Sequence, residues 1–170
     1  MLSQKATLKC PNDSLLKTYK MFPRLHEFSY MRDKYFIYVY LNPFKEYRTS
    51  LKFKVQGIQF CSAFEPIYVG KGTNGNGYRH NQHISAFLNN KENNRIKVKI
   101  FKEIENEMKK AKELKLVNKP WNWQEYQKGW VFVVRSLNSQ EELKRFEMQM
   151  INTIGTRWDA TGPLVNKIKN

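Results

Sequence analysis

The chain has 170 residues, 41% of them hydrophobic and 14% aromatic, so it can bury one ordinary core and is expected to form a single domain. Thirty Lys and Arg against fifteen Asp and Glu give a net charge of +15. This charge favours nucleic acid over a membrane surface as the partner, because no long apolar span or lipidation signal accompanies it. The alternative is a soluble protein that is merely basic.

The cysteines and the N-terminal sequence bear on the compartment. Cys10 and Cys61 are too few for a disulfide scaffold and are expected to be reduced thiols. The first residues lack the apolar run of a signal peptide. We therefore expect a protein of the cytoplasm, or of a host cytoplasm.

The first half of the chain is predicted to contain two strands. Residues 1–34 form a basic N-terminal extension, and residues 35–41 are a β-branched and aromatic run typical of a strand. Residues 43–66 alternate in part but are interrupted by Gly and Pro, which favours a hairpin arm inserted between strands. A short strand at 67–70 and a loop rich in Gly and Asn at 70–77 follow.

A helix is predicted from Arg79 to about Asn90. Arg79 and His83 lie four residues apart and share a face beside the apolar stripe, so both can project over the preceding loop. His80 falls at the head of the apolar stripe and is expected to be a partly buried structural histidine.

The next segments are less regular. Residues 94–116 are charged and helical in pattern, although the apolar residues at their start alternate and leave a strand start open. Residues 119–124 are interpreted as a turn-like connector, and residues 129–137 as a core strand.

The last helix has clear boundaries and one unusual residue. Ser139 and Glu142 form a capping box, and Gly155 ends the helix. Glu147 falls inside the apolar stripe, whose members are Leu143, Phe146, Met150, Ile151 and Ile154. A carboxylate there is costly unless it is paired, protonated or metal-bound. Glu147 therefore either pairs with a lysine at the edge of the stripe or binds a metal, and the tyrosines and Arg79 favour the metal.

Three other types of site fit the sequence poorly. Gly70–Gly75 satisfies G-x-G-x-x-G with Glu92 near the spacing of a ribose-binding acid, but no convincing succession of βαβ units accompanies it. The P-loop pattern fails because Gly72 stands where Ser or Thr is required. The Cys and His residues lack the paired spacing of a zinc site.

The ordered set of these motifs resembles the GIY-YIG nucleases, most closely their phage and mobile-element members. The first motif stands as Phe36-Ile37-Tyr38, with Phe36 in place of Gly, and the second as Tyr68-Val69-Gly70. The resemblance covers about residues 35–166 and also rests on Asn42, Arg79, His83, Glu147 and the closing Gly162-Pro163-Leu164-Val165-Asn166.

The resemblance implies an α/β (α+β) fold with a small, mainly antiparallel three-stranded sheet flanked by helices. The extended hairpin insertion at about 43–66 would belong to a nuclease domain at 35–170, preceded by the extension at 1–34.

The resemblance also implies a role for each site residue. Tyr68 would deprotonate or orient the attacking water, and Tyr38 and His83 would position water or phosphate oxygens. Arg79 would bind the scissile phosphate, and Lys71 with Arg79 would favour the Tyr68 phenolate, since tyrosine ordinarily ionises near pH 10.

Glu147 would hold one Mg²⁺ or Mn²⁺, which would polarise the phosphate and stabilise the leaving 3′ oxygen. Asn166 would steady the site and join Lys71 and Arg79 in binding the substrate. Tyr38 and Tyr68 could instead be ordinary core aromatics, Lys71 a solvated lysine and Asn166 a turn residue.

The function expected is metal-dependent cleavage of double-stranded DNA to 5′-phosphate and 3′-hydroxyl ends, as in a phage or mobile-element homing endonuclease. A restriction or repair nuclease of the same fold is the alternative within this class. A non-catalytic basic module that binds nucleic acid is the alternative outside it. Monomer and dimer both remain open.

Overall fold

The computed structural model describes residues 25, 35–52, 59–73, 78–113 and 122–167. Across these residues the fold is mixed α+β, with a three-stranded antiparallel sheet of order β2-β1-β3. The elements are β1 (Tyr35–Lys52), β2 (Gln59–Thr73), α1 (Tyr78–Leu88), α2 (Arg95–Glu113), α3 (Trp123–Trp130), β3 (Val131–Leu137) and α4 (Gln140–Ile154). The expected α+β class with a small antiparallel sheet is confirmed.

The hairpin of β1 and β2 is longer than the sequence pattern predicted. The strand expected at 35–41 continues through the expected arm to Lys52, and β2 begins at Gln59. The pairing shifts register three times, once between Asn42 and Glu46. The Asn42 side chain accepts a hydrogen bond from the Phe44 N–H (3.0 Å), which satisfies an amide at this irregularity. The arm is therefore the outer half of one hairpin.

The sheet separates two cores because successive side chains of a strand point to opposite faces. The side chains of Phe36, Tyr38 and Tyr40 lie on the face that is covered by α1, α2 and α3. Ile37 and Val39 pack against the face covered by α4. The strand β2 lies at an edge of the sheet, beside β1.

The segment after α1 is helical, and the strand start left open there does not form. Buried residues of α2 recur at helical spacing, namely Ile100, Phe101, Ile104 and Met108. The Asn94 Oδ1 accepts from the Lys97 N–H (3.0 Å) and caps the first turn.

The prediction of a turn-like connector at 119–124 is wrong for its last residues, which are helical. Trp123 begins α3, because the Asn122 side chain caps this helix by accepting from the Glu125 N–H (3.0 Å). The strand expected at 129–137 is confirmed from Val131.

The boundaries of α4 follow the predicted signals. The Ser139 hydroxyl accepts from the Glu142 N–H (3.1 Å), and Gly155 ends the helix with φ of 81°. All five members of the expected apolar stripe are buried.

Two further expectations concern the N-terminal extension and the membrane. Except for Leu25, the N-terminal extension 1–34 lies outside the described residues, as do Cys10 and His26. Among the described helices, none is long and apolar enough to cross a membrane.

Candidate active site

The two tyrosine motifs meet on neighbouring strands. Tyr38 of β1 pairs in register with Gly70 of β2, and the buried Tyr38 ring lies across that glycine. A Cβ at Gly70 would overlap the ring, and a Cβ at Gly72 would overlap the Phe36 ring in the same way. The glycines of β2 therefore provide the space for the aromatic residues of β1.

Tyr68 and His83 form the central contact of the site. The Tyr68 Oη lies 3.0 Å from the His83 Nε2, and their ring centroids are 4.8 Å apart. The Tyr38 and Tyr68 ring centroids are 6.4 Å apart. Three residues singled out from the sequence are thus brought together on the face of the sheet that α1 covers.

Arg79 lies one turn before His83 in α1. Its backbone position is the one expected, and its side chain lies outside the described part of the chain, as does the side chain of His80. The role of Arg79 in binding phosphate stays a prediction.

Behind His83 lies an ion pair that the sequence analysis missed. The Lys97 Nζ is 2.8 Å from the His83 Nδ1 and donates to the Glu92 Oε2 at 2.6 Å. Lys97 is 3% exposed. A signal was available, because Lys97 shares the helical spacing of Ile100, Phe101 and Ile104, the same anomaly that drew attention to Glu147. Glu92 had been considered only as a ribose-binding acid.

The burial of this pair affects both groups. Desolvation lowers the pKa of Lys97, although the hydrogen bond and the charge of Glu92 oppose the change. Burial raises the pKa of Glu92, but the hydrogen bonds from Lys97 and the Asn94 N–H outweigh it and leave the pKa below its ordinary value. Glu92 is therefore a carboxylate at neutral pH.

Glu147 pairs with Lys71, a residue of the second motif. The Lys71 Nζ donates to the Glu147 Oε2 at 2.6 Å, and the carboxylate is mostly buried, with its side chain 15% exposed. This is the lysine pairing considered from the sequence. Two of the expected site residues are again brought together, across β2 and α4.

Of the donors that a single Mg²⁺ or Mn²⁺ needs, the site supplies one protein carboxylate, that of Glu147. These ions are commonly held by one or two carboxylates together with substrate phosphates and water, so Glu147 suffices as a protein ligand once substrate supplies the rest. In the described ranges no group of three or more His, Cys, Asp or Glu could hold a metal ion by itself.

Asn166 forms two hydrogen bonds with the strand that carries Tyr68. Its Oδ1 accepts from the Val69 N–H (2.9 Å), and its Nδ2 donates to the Val69 carbonyl (2.7 Å). The Val165 N–H also donates to the Ile67 carbonyl (2.8 Å). The closing segment is thus joined to β2 by three hydrogen bonds, while a direct contact of Asn166 with substrate stays a prediction.

The two pairs occupy opposite faces of β2. Tyr68 packs on the face of α1 and α2, whereas Val69 packs on the face of α4, where Lys71 meets Glu147. Tyr68 and Lys71 are separated by about 10 Å along an extended strand. A substrate that contacts both pairs would therefore have to extend along this edge strand over about that distance.

Comparisons with family models, curated proteins and solved structures yield no match.

Proposed function

We propose that this protein is a metal-dependent endonuclease that hydrolyses double-stranded DNA to 5′-phosphate and 3′-hydroxyl ends, with a site of the GIY-YIG type. The observation that carries the proposal is the 3.0 Å contact between Tyr68 and His83, made beside Tyr38 on the strand that also carries Lys71. Tyr38, Tyr68 and His83, on which the resemblance rests, lie together, and this supports the proposal.

In the proposed reaction, Tyr68 orients and deprotonates the attacking water, and His83 holds the Tyr68 oxygen in place. Arg79 binds the scissile phosphate and Lys71 adds positive charge at the edge of β2. Glu147 would hold Mg²⁺ or Mn²⁺, which supplies polarisation of the phosphate and stabilisation of the leaving oxygen.

The substrate class follows from charge. A net charge of +15 attracts a polyanion at long range, and phosphate contacts supply most sequence-independent affinity for DNA. Within this class we favour a phage or mobile-element homing endonuclease that acts in a host cytoplasm. A restriction or repair nuclease is the alternative.

Tyr68→Phe tests the proposal because it removes one oxygen and keeps the ring packing. We expect plasmid cleavage to fall at least about 100-fold, the range typical of a lost general base. Tyr35→Phe is the matched control, since Tyr35 begins β1 in the same sheet and is given no catalytic role. Equal cleavage by Tyr68→Phe and the control would reject the assigned base.

One observation favours a second candidate, a non-catalytic DNA-binding module. Lys71 neutralises the Glu147 carboxylate, and an ion pair of this kind needs no metal. The two candidates differ in chelator, because binding by charge persists there while metal-dependent cleavage stops.

A further inference from the structure

We propose that Lys97 is a positioning residue that fixes the His83 proton on Nε2, so that His83 donates a hydrogen bond to Tyr68. The consequence for catalysis rests on the proposed nuclease function, whereas the placement of the proton does not.

The direction of the hydrogen bonds follows from the chemistry of an ammonium group. A protonated lysine has three N–H donors and no acceptor. Its 2.8 Å contact with the His83 Nδ1 therefore makes Nδ1 the acceptor. Neutral imidazole carries one proton, which must then lie on Nε2, 3.0 Å from the Tyr68 Oη.

Glu92 keeps Lys97 protonated in this site. Its carboxylate accepts from the Lys97 Nζ at 2.6 Å and is ionised at neutral pH. Among the described residues, the other groups that face the ammonium are His83 and two rings, those of Tyr68 and Phe101, whose centroids lie 5.0 and 5.6 Å from the Nζ. Aromatic faces attract a cation, so these rings and Glu92 both oppose the lowering of the Lys97 pKa that burial causes.

The arrangement prepares Tyr68 as an oxyanion. Because Tyr68 accepts from His83, His83 does not take the Tyr68 proton. Tyr68 is partly exposed, and for it to act as a base its hydroxyl proton passes to solvent before the attacking water is deprotonated. The resulting phenolate retains the hydrogen bond from His83, and the nearby Lys97 charge stabilises it further. His83 keeps its proton throughout and orients Tyr68 without acting as its base.

A neutral Lys97 would still donate to the Glu92 carboxylate but could accept from His83, which would reverse the two hydrogen bonds that link Lys97, His83 and Tyr68. The amine nitrogen would accept from Nδ1–H, and the His83 Nε2 would accept from the Tyr68 hydroxyl, which would make His83 a base for Tyr68. The two arrangements therefore differ at one measurable proton.

Nitrogen NMR of histidine-labelled wild-type protein decides between the arrangements, and a variant is needed only to assign the signal. The chain has three histidines, and His83→Gln assigns the signal. We expect the His83 proton on Nε2 at neutral pH. A proton on Nδ1, or on both nitrogens, would overturn the proposal whether or not the protein cuts DNA.

The double variant Lys97→Met/Glu92→Gln tests the effect of the pair. Removing both charges avoids leaving one buried and unpaired. We expect His83 to populate both tautomers in this variant. We also expect the pH dependence of cleavage to shift upward by about one pH unit, because the Tyr68 phenolate loses a nearby cation.

Lys99→Met/Glu103→Gln, two exposed positions of the same helix, is the control and should match the wild type. An unchanged His83 tautomer in the folded Lys97→Met/Glu92→Gln protein would overturn the proposal. A wild-type protein with the Nε2 proton but no cleavage on any DNA would reject the nuclease function and leave the tautomer assignment standing.

Discussion

At the scale of the residue, Asn166 is the side chain that holds the site strand most directly. Asn166→Ala leaves the Val69 N–H and C=O without their partners, and each buried group left unsatisfied costs about 1–3 kcal/mol. We expect a loss of at least about 2 kcal/mol in the free energy of unfolding, measured in urea. Asn152→Ala, at an exposed position of α4, should change little. Equal stability of the two variants would show that the closing segment does not hold β2.

Gly70 is a second residue whose substitution has a defined effect. Gly70→Ala forces the Tyr38 ring away from its place, and overpacking of this kind costs about 1–3 kcal/mol. Gly129→Ala in α3 is the control, because nothing lies within 4 Å of the added Cβ. In a helix this change is expected to stabilise by up to about 1 kcal/mol. Thermal unfolding of both variants measures the difference, and a stable Gly70→Ala protein would contradict the packing of Tyr38.

At the scale of the element, the turn after α4 contains a titrating carboxylate. Hydrogen bonds from the hydroxyls of Thr161 (2.6 Å) and Thr156 (2.8 Å) hold the pKa of Asp159 at about 2, below its ordinary 3.8. The stabilising contribution is therefore present above pH 3.8 and is lost as the pH falls toward 2.

We expect the melting temperature of the wild type to fall, relative to that of Asp159→Asn, across this acid range. The variant keeps an acceptor oxygen but does not titrate. If the melting temperatures of the two proteins depended on pH in the same way, the assigned hydrogen bonds would be contradicted.

Local signals explain which elements could be predicted from the sequence. The cap at Ser139 and the glycine at 155 act within one turn, so α4 was predicted with its buried stripe. The full length of β1 was not, because the side chain of Asn42 and the register shifts near it accommodate residues that break the alternation. Likewise Asn122, a helix cap, was interpreted as part of a turn.

The candidate site was predictable in part for a similar reason. Tyr38, Tyr68 and His83 belong to recognisable motifs, and they lie together as expected. Lys97 belongs to no motif, and its contact with His83 depends on how α2 packs against α1. The lysine partner of Glu147 was foreseen as a possibility, but its identity as Lys71 depends on the packing of α4 on β2.

At the scale of the whole molecule, the excess of positive charge is the basis of the proposed DNA binding. If six or more phosphates are neutralised, the affinity should fall about 1,000-fold or more between 50 and 200 mM salt, because condensed counterions are released on binding. Fluorescence anisotropy with labelled duplex DNA in EDTA measures this dependence. Tight binding with little dependence on salt would contradict an interface based on phosphate contacts.

The proposed metal-dependent cleavage depends on Glu147. The most direct measurement is the conversion of supercoiled plasmid and of phage genomic DNA by purified protein with Mg²⁺ or Mn²⁺, beside an EDTA control and two variants. Glu147→Gln is the test, and Glu141→Gln, at an exposed position of the same helix, is its control.

We expect cleavage with 5′-phosphate ends by the wild type and Glu141→Gln, and its loss in EDTA and in Glu147→Gln. Cleavage that persists in EDTA or in Glu147→Gln would contradict the account, as would DNA binding without cleavage of either substrate.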